Sequence, residues 1–244
     1  THPEMVPGVI RRAFNEAKTP PTGPTFVAFS ANALDDEGEM DIFPSAKGYF
    51  RTSPDPRAIE DAAEILATAN DPVVLVADRV AQSGASAEAV RVAELLGARV
   101  YASSYSEMNF PTTHPQYLGS IRLGFPEARE RLRSADAVLA VGALASGYYM
   151  FSSPTLRFFG AETKLLHLDV DSSRVGSAQP TDVGILADPK AALTELAIAL
   201  EAGMSGSARE AAKGRAVAVA SEKAAGESEA RQRLKDRWNM SPMS

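Results

Sequence analysis

The sequence predicts an α/β fold built on a doubly wound, mostly parallel sheet, and three observations predict it. Between Pro56 and about Leu200, stretches with helical spacing alternate with short apolar runs, the order that βα units produce. The runs Val73 to Ala77, Ala137 to Val141 and Leu165 to Val170 are apolar almost throughout rather than alternating, as strands buried on both faces must be. Turn residues flank them: Asn70, Asp71 and Pro72 precede the first and Gly142 follows the second.

The first element is a helix over Met5 to Lys18, with Val6, Val9, Ile10, Ala13, Phe14 and Ala17 at helical spacing and Pro7 and Gly8 confined to its first turn. Pro20, Pro21, Thr22, Gly23 and Pro24 break it, and Thr25 to Phe29 reads as a short buried strand. Ser30 to Pro54 shows no period and reads as linker.

From Pro56 the units are regular. A helix to Ala69 puts Ile59, Ala62, Ala63, Leu66 and Ala69 on one stripe and leads into the strand at Val73. Ala85 to Leu96, with Ala89, Val92, Ala93 and Leu96 inward, ends at Gly97 and feeds a strand over Arg99 to Ala102. A helix over Pro126 to Ser134 leads into Ala137 to Val141, and Leu165 to Val170 and Val183 to Leu186 are two further strands. Asp188 caps a helix with Pro189 at its first position and Ala192, Leu193, Leu196, Ala197 and Leu200 on its inner face. Ser207 and Glu210 have capping-box spacing and open a polar, alanine-rich helix to about Trp238, whose weak apolar stripe predicts fraying without a neighbouring domain.

Composition excludes several functions. The chain has 244 residues, 45% of them hydrophobic, a net charge of −6 and no cysteine, enough for one large or two small domains without a disulfide framework or thiolate metal site. Arg11, Arg12, Arg91, Arg122, Arg129, Arg131 and Arg133 are scattered rather than striped, which argues against nucleic acid. His2, His114 and His167 lack ligand spacing. The longest apolar stretch, Ala135 to Ala145, is about half of the ~20 residues a membrane span needs, and no signal peptide opens the chain; a cytoplasmic location is expected. A start at Thr1 and an end at Ser241, Pro242, Met243 and Ser244 read as a piece of a longer protein.

An open parallel sheet binds ligands beyond the carboxyl ends of its strands, and three loops there hold candidate residues. In Ala77 to Ser86, Ser83, Gly84 and Ser86 could meet a phosphate at a helix amino terminus; the absence of G-x-G-x-x-G favours an ordinary βα turn. In Gly142 to Ser153, Gly142 and Ala143 precede Tyr148, Tyr149, Met150 and Phe151, a composition equally suited to a ligand site with hydroxyl handles and to packing at a domain interface. Asp169, with Asp171, could accept from a ribose or simply form a turn. His167 lies inside a strand and His114 on a loop between Pro111 and Pro115, both positions that favour structural roles. No Ser/His/Asp set, carboxylate pair or metal cluster stands out, so no reaction follows from these residues alone.

A resemblance supplies what they do not. Pro21-Thr-Gly-Pro-Thr-Phe-Val27 after the first helix, Asp71-Pro-Val-Val-Leu-Val76, Phe110-Pro-Thr-Thr-His-Pro115, Tyr117-Leu-Gly119, Ala135-Asp-Ala-Val-Leu-Ala-Val-Gly142, Leu166-His-Leu-Asp-Val-Asp171 and Ala187-Asp188 resemble, in order, the thiamine-diphosphate enzymes that include benzoylformate decarboxylase and acetolactate synthase. The likeness runs from Met5 to Leu200. It implies a Rossmann-like (DHS-like) three-layer central domain at 55–200, the end of a pyrimidine-binding domain at 1–43, a linker at 44–54, and at 201–244 a helix leading toward a diphosphate-binding domain. Phe110-Pro-Thr before His114, and the loop after Ala77 with few glycines, are most similar to the benzoylformate decarboxylase branch. Flavin, which a glycine-richer loop helps to hold in acetolactate synthases, is not expected.

That branch places a catalytic histidine a few residues beyond the valine-glycine-alanine turn, where this sequence has Tyr149. A tyrosine there could face the active site and donate a hydrogen bond, but its pKa near 10 suits proton transfer poorly, which puts benzoylformate in question. The family's activating glutamate would precede Thr1, and its Gly-Asp-Gly motif is not in the chain. The resemblance therefore implies a parent carbon–carbon lyase that acts on a 2-oxo acid with thiamine diphosphate and magnesium as a homodimer or homotetramer. The chain itself is then an inactive, interface-forming piece that holds no cofactor alone and is partnered by the rest of its polypeptide. Two alternatives are a free-standing ADP, NAD or FAD module, with ligand at Ser83, Gly84, Gly142, Ala143 and Asp169, and a ligand-free scaffold that associates with itself.

Overall fold

A computed structural model describes residues 2–44, 48, 50–104, 106–123, 125–143, 158–177 and 179–239. The chain divides into two compact units, Thr1–Arg51 and Thr52–Ser244.

In the first unit, a 3-10 turn at Pro3–Met5 runs into helix α1 (Val6–Lys18). Its apolar stripe is as the spacing predicts, yet none of its residues is buried. The segment expected as a buried strand, Thr25 to Phe29, has no strand structure, and Phe26 is 92% exposed. A strand needs a neighbour for its backbone N–H and C=O groups, and the sheet contains no strand from this unit among the described residues. Thr25 is held by its hydroxyl instead, which donates to the Ala13 carbonyl at 3.1 Å. Within the stretch read as linker, Ala31–Asp35 forms a short helix, α2.

The second unit is the predicted parallel sheet. Strands β1 (Pro72–Val76), β2 (Arg99–Ser103), β3 (Tyr117–Ile121), β4 (Ala137–Val141), β5 (Lys164–Asp169) and β6 (Val183–Leu186) pair, among the described residues, in the order β3-β2-β1-β4-β5-β6. Every pairing is parallel. Helices α3 (Pro56–Thr68), α4 (Asp78–Ser83), α5 (Ser86–Leu96), α6 (Pro126–Leu132), α7 (Pro189–Gly203) and α8 (Gly206–Asn239) complete it.

Period-two alternation explains the continuous apolar strands. Val74, Val76, Leu139, Val141, Leu166 and Leu168 point to one face, where Ile59, Leu66, Val92, Leu96, Leu193 and Leu196 from α3, α5 and α7 cover them. Val73, Leu75, Tyr101, Val138, Ala140 and Leu165 point to the other, against Ala128 and Leu132 of α6 and Phe158. Both faces are dry, so both residue parities are apolar.

The breaker Asn70-Asp71-Pro72 works by side-chain chemistry. The Asp136 carboxylate accepts from the backbone N–H of Asn70 (2.6 Å) and Asp71 (2.9 Å), which stitches the entry of β1 to that of β4. Asp71 takes two bonds from the Arg99 guanidinium at 3.0 and 2.7 Å. Asp55 and Asp188 cap α3 and α7, each followed by proline. At α8 the cap is Ser205 rather than Ser207: its hydroxyl accepts from the Ala208 N–H at 3.1 Å, two residues earlier than the capping-box spacing suggested.

Helix α8 divides in two. Ala212 and Val219 are buried, Arg215 donates twice to the Leu96 carbonyl (3.0 and 2.7 Å), and Lys223 donates to the Thr112 and His114 carbonyls (2.6 and 2.7 Å). From Ala224 to Trp238 every residue is exposed, and the charges pair along the helix, Glu227 with Arg231 at 3.1 Å and Glu229 with Arg233 at 3.8 Å. Such i,i+4 pairs support a helix that packs on nothing.

Candidate functional site

In the order β3-β2-β1-β4-β5-β6 the chain leaves β1 in one direction toward β2 and in the other toward β4, which opens a crevice beyond the carboxyl ends of β1 and β4. The candidate residues arrange around it.

After β1, the loop expected over Ala77 to Ser86 contains the short helix α4. Ser83 and Gly84 lie at its carboxyl end, where Gly84 adopts the left-handed conformation (φ 65°). The Gly84 and Ala85 amides donate to the Ala81 and Val80 carbonyls at 3.0 and 2.8 Å, a helix-terminating arrangement that occupies those donors. Asp78 and Arg79 form the amino end of α4, directly after β1 and Ala77.

After β4, Gly142 also has φ 65° and its N–H extends the ladder to the Leu168 carbonyl at 2.9 Å. A side chain at Gly142 would meet the Arg79 Cγ at 2.5 Å and Cβ at 2.6 Å. The glycine is thus required by a close approach, and the group that approaches is an arginine stem. Ala143 is buried. Tyr148, Tyr149, Met150 and Phe151 lie outside the described residues.

At the end of β5, Asp169 is 1% exposed. Its Oδ1 accepts from the Asp171 N–H at 2.9 Å, the turn its sequence suggested, and lies 3.6 Å from the Arg79 Nε. The Arg79 Nη1 donates to the Gln82 Oε1 at 2.8 Å. Gly142 and Asp169 come together as neighbouring strand ends, and Arg79, which sequence reading passed over, joins them. Its only sequence signal was its place two residues beyond the Val73 to Ala77 run.

His167 points to the same side of β5 as Asp169 and is 1% exposed. The Gly176 N–H donates to its Nδ1 at 3.3 Å, which assigns the ring proton to Nε2, and Nε2 is buried with no partner among the described residues. Burial pushes the imidazole below its usual value of 6.5, Asp169 opposes that, and Arg174 adds to it. His114 stacks edge-on against Phe110, 5.2 Å between centroids, and its Nε2 lies 3.4 Å from Glu94 Oε1; it fastens the loop before β3 to α5.

Away from the crevice, a groove of about 500 Å³ runs between β3 and α8, lined by Tyr101, Tyr117, Gly119, Arg131, Lys223 and Arg233 among others. Nothing in the sequence marked it, because its walls come from elements about a hundred residues apart. Among the described residues no group of three or more His, Asp or Glu side chains converges. No helix of the described residues is long and apolar enough to cross a membrane.

Comparison with known proteins places this geometry. Residues 59–196 match the family model described as "Thiamine pyrophosphate enzyme, central domain". The probable acetolactate synthase large subunit of Methanocaldococcus jannaschii is 30% identical over 205 residues, covering 81% of this chain and 34% of that protein. Among solved structures, benzoylformate decarboxylase of Polynucleobacter necessarius superposes with a TM-score of 0.69 at 25% identity, over 82% of this chain and 37% of that one. The thiamine-diphosphate-dependent 4-hydroxybenzoylformate decarboxylase of Rhodococcus jostii gives 0.69 at 28%, over 81% and 38%. The chain spans about a third of the length of the relatives it matches. With its parallel sheet, its strand order and this match over 59–196, the chain belongs to the thiamine pyrophosphate enzymes and carries their central domain.

Proposed function

We propose that this chain is the structural, interface-forming central domain of a thiamine-diphosphate-dependent decarboxylase or related carbon–carbon lyase whose donor is a 2-oxo acid, benzoylformate or a relative. The family match over 59–196 carries the reading, and the two aroylformate decarboxylases among the structural neighbours favour an aromatic 2-oxo acid. The acetolactate synthase likeness keeps the donor class broad, as does Tyr149 where the decarboxylase pattern has a histidine.

Thiamine diphosphate, when bound, supplies the carbanion-stabilising chemistry. In this reading it is held with magnesium by domains other than this one, in a homodimer or homotetramer. This domain's own residues position: Asp136, Asp71 and Arg99 fix the entries of the central strands, and the apolar faces set the sheet as a rigid spacer.

The test is decarboxylation of benzoylformate and of aliphatic 2-oxo acids by the complete polypeptide that carries this chain, in the presence of thiamine diphosphate and magnesium. Cofactor-dependent carbon dioxide release is expected, and its absence for every 2-oxo acid tried would remove the lyase assignment. Tyr149→Phe should lower turnover several-fold if its hydroxyl faces the reacting centre and leave it unchanged if Tyr149 only packs.

A further inference from the structure

The crevice at the switch from β1 to β4 is where an open parallel sheet receives an adenine nucleotide: a glycine after one strand admits the phosphates and an acidic residue at the end of the next accepts from the ribose. In this chain both features are present, and one side chain uses both. The Arg79 stem lies where a Cβ of Gly142 would be, at 2.5 and 2.6 Å from that position. Its Nε faces Asp169 Oδ1 at 3.6 Å, and its side chain is 12% exposed. We propose that Arg79 is a built-in occupant of the crevice and the residue that closes this domain to adenine nucleotides.

Three points carry it. The left-handed Gly142 is needed for the arginine, so the close approach it permits is already taken. The Asp169 Oδ1 already accepts from the Asp171 N–H at 2.9 Å and faces Arg79 at 3.6 Å, so a ribose hydroxyl at that oxygen would compete with a buried ion pair. The Arg79 charge is matched by Asp169 and its Nη1 is bonded to Gln82, so the guanidinium is no free phosphate anchor. Among the described residues the Gly84 and Ala85 amides do not replace it, because they are bonded to their own helix. This closure is a matter of the domain's own ligand specificity and is independent of the reaction of the longer protein.

The experiment is calorimetric titration of ADP into the 244-residue chain and its Arg79→Ala and Arg79→Gln variants, each checked for a native circular-dichroism spectrum and a cooperative melt. Wild type should give no binding below about millimolar ADP, while Arg79→Ala should bind about tenfold more tightly or better, a gain of ~1.4 kcal/mol. Arg79→Gln, which keeps part of the stem, should gain less and serves as the test if Arg79→Ala does not fold. Micromolar ADP binding by the wild type would overturn the proposal. So would folded variants that bind ADP no better than wild type, because something other than Arg79 would then be closing the crevice.

Discussion

Two single residues carry consequences that can be measured. Gly97 ends α5 in the left-handed conformation, φ 60°, and a side chain there would run into the Ala212 carbonyl of α8. Gly97→Ala therefore meets both backbone strain and a clash, and should cost about 1–3 kcal/mol for the strain alone. Denaturant melts would register it, and a stability within ~0.5 kcal/mol of wild type would show that α8 does not dock as described. His167 carries a pH dependence. Its folded-state pKa is held down by burial, so the unfolded chain takes up a proton more readily than the folded one. Stability from the neutral ring is complete above the unfolded value near 6.5 and is lost as pH falls through it, by up to about 1.4 kcal/mol per pH unit. Melts from pH 7.5 to 5 should fall in the wild type and fall less steeply in His167→Leu; equal slopes would contradict the assignment. Sequence reading located Gly142 and Asp169 because strand ends are visible in apolar runs. It could not reveal Arg79, since nothing in an isolated arginine says that its stem lies over a glycine more than sixty residues away.

At the scale of elements, legibility tracked burial. β4 and β6 fall at the predicted residues, and β1, β2, β5, α3 and α7 within a few positions at either end, because burial on both faces writes unbroken apolar runs and the caps Asp55 and Asp188 are local chemistry. β3 was not visible: it is an edge strand, and most of Tyr117-Leu-Gly-Ser-Ile is only partly buried, so neither alternation nor continuity marks it. Thr25 to Phe29 failed for the opposite reason, having strand composition but no strand beside it. Asp188→Ala removes a side chain that accepts from the Lys190 and Ala191 N–H groups at 3.0 and 3.2 Å and should cost about 1 kcal/mol, read from the urea midpoint. Lys223 is the last anchor of α8 before its exposed stretch. In Lys223→Met, amides beyond residue 223 should exchange with solvent deuterium faster while those of α5 and α7 stay protected; unchanged exchange would mean that the helix is held elsewhere.

For the whole molecule, the parallel sheet with its 3-2-1-4-5-6 order and the match over 59–196 settle the family, and the resemblance in the sequence already pointed there. The substrate is legible in neither, since a fold does not fix the site grafted on it. In the proposed function this domain frames the enzyme while the thiamine cofactor is held elsewhere. The most direct measurement is calorimetric titration of thiamine diphosphate with magnesium into the 244-residue chain. No saturable binding is expected, whereas stoichiometric, magnesium-dependent binding at micromolar concentration would place a cofactor site in this chain.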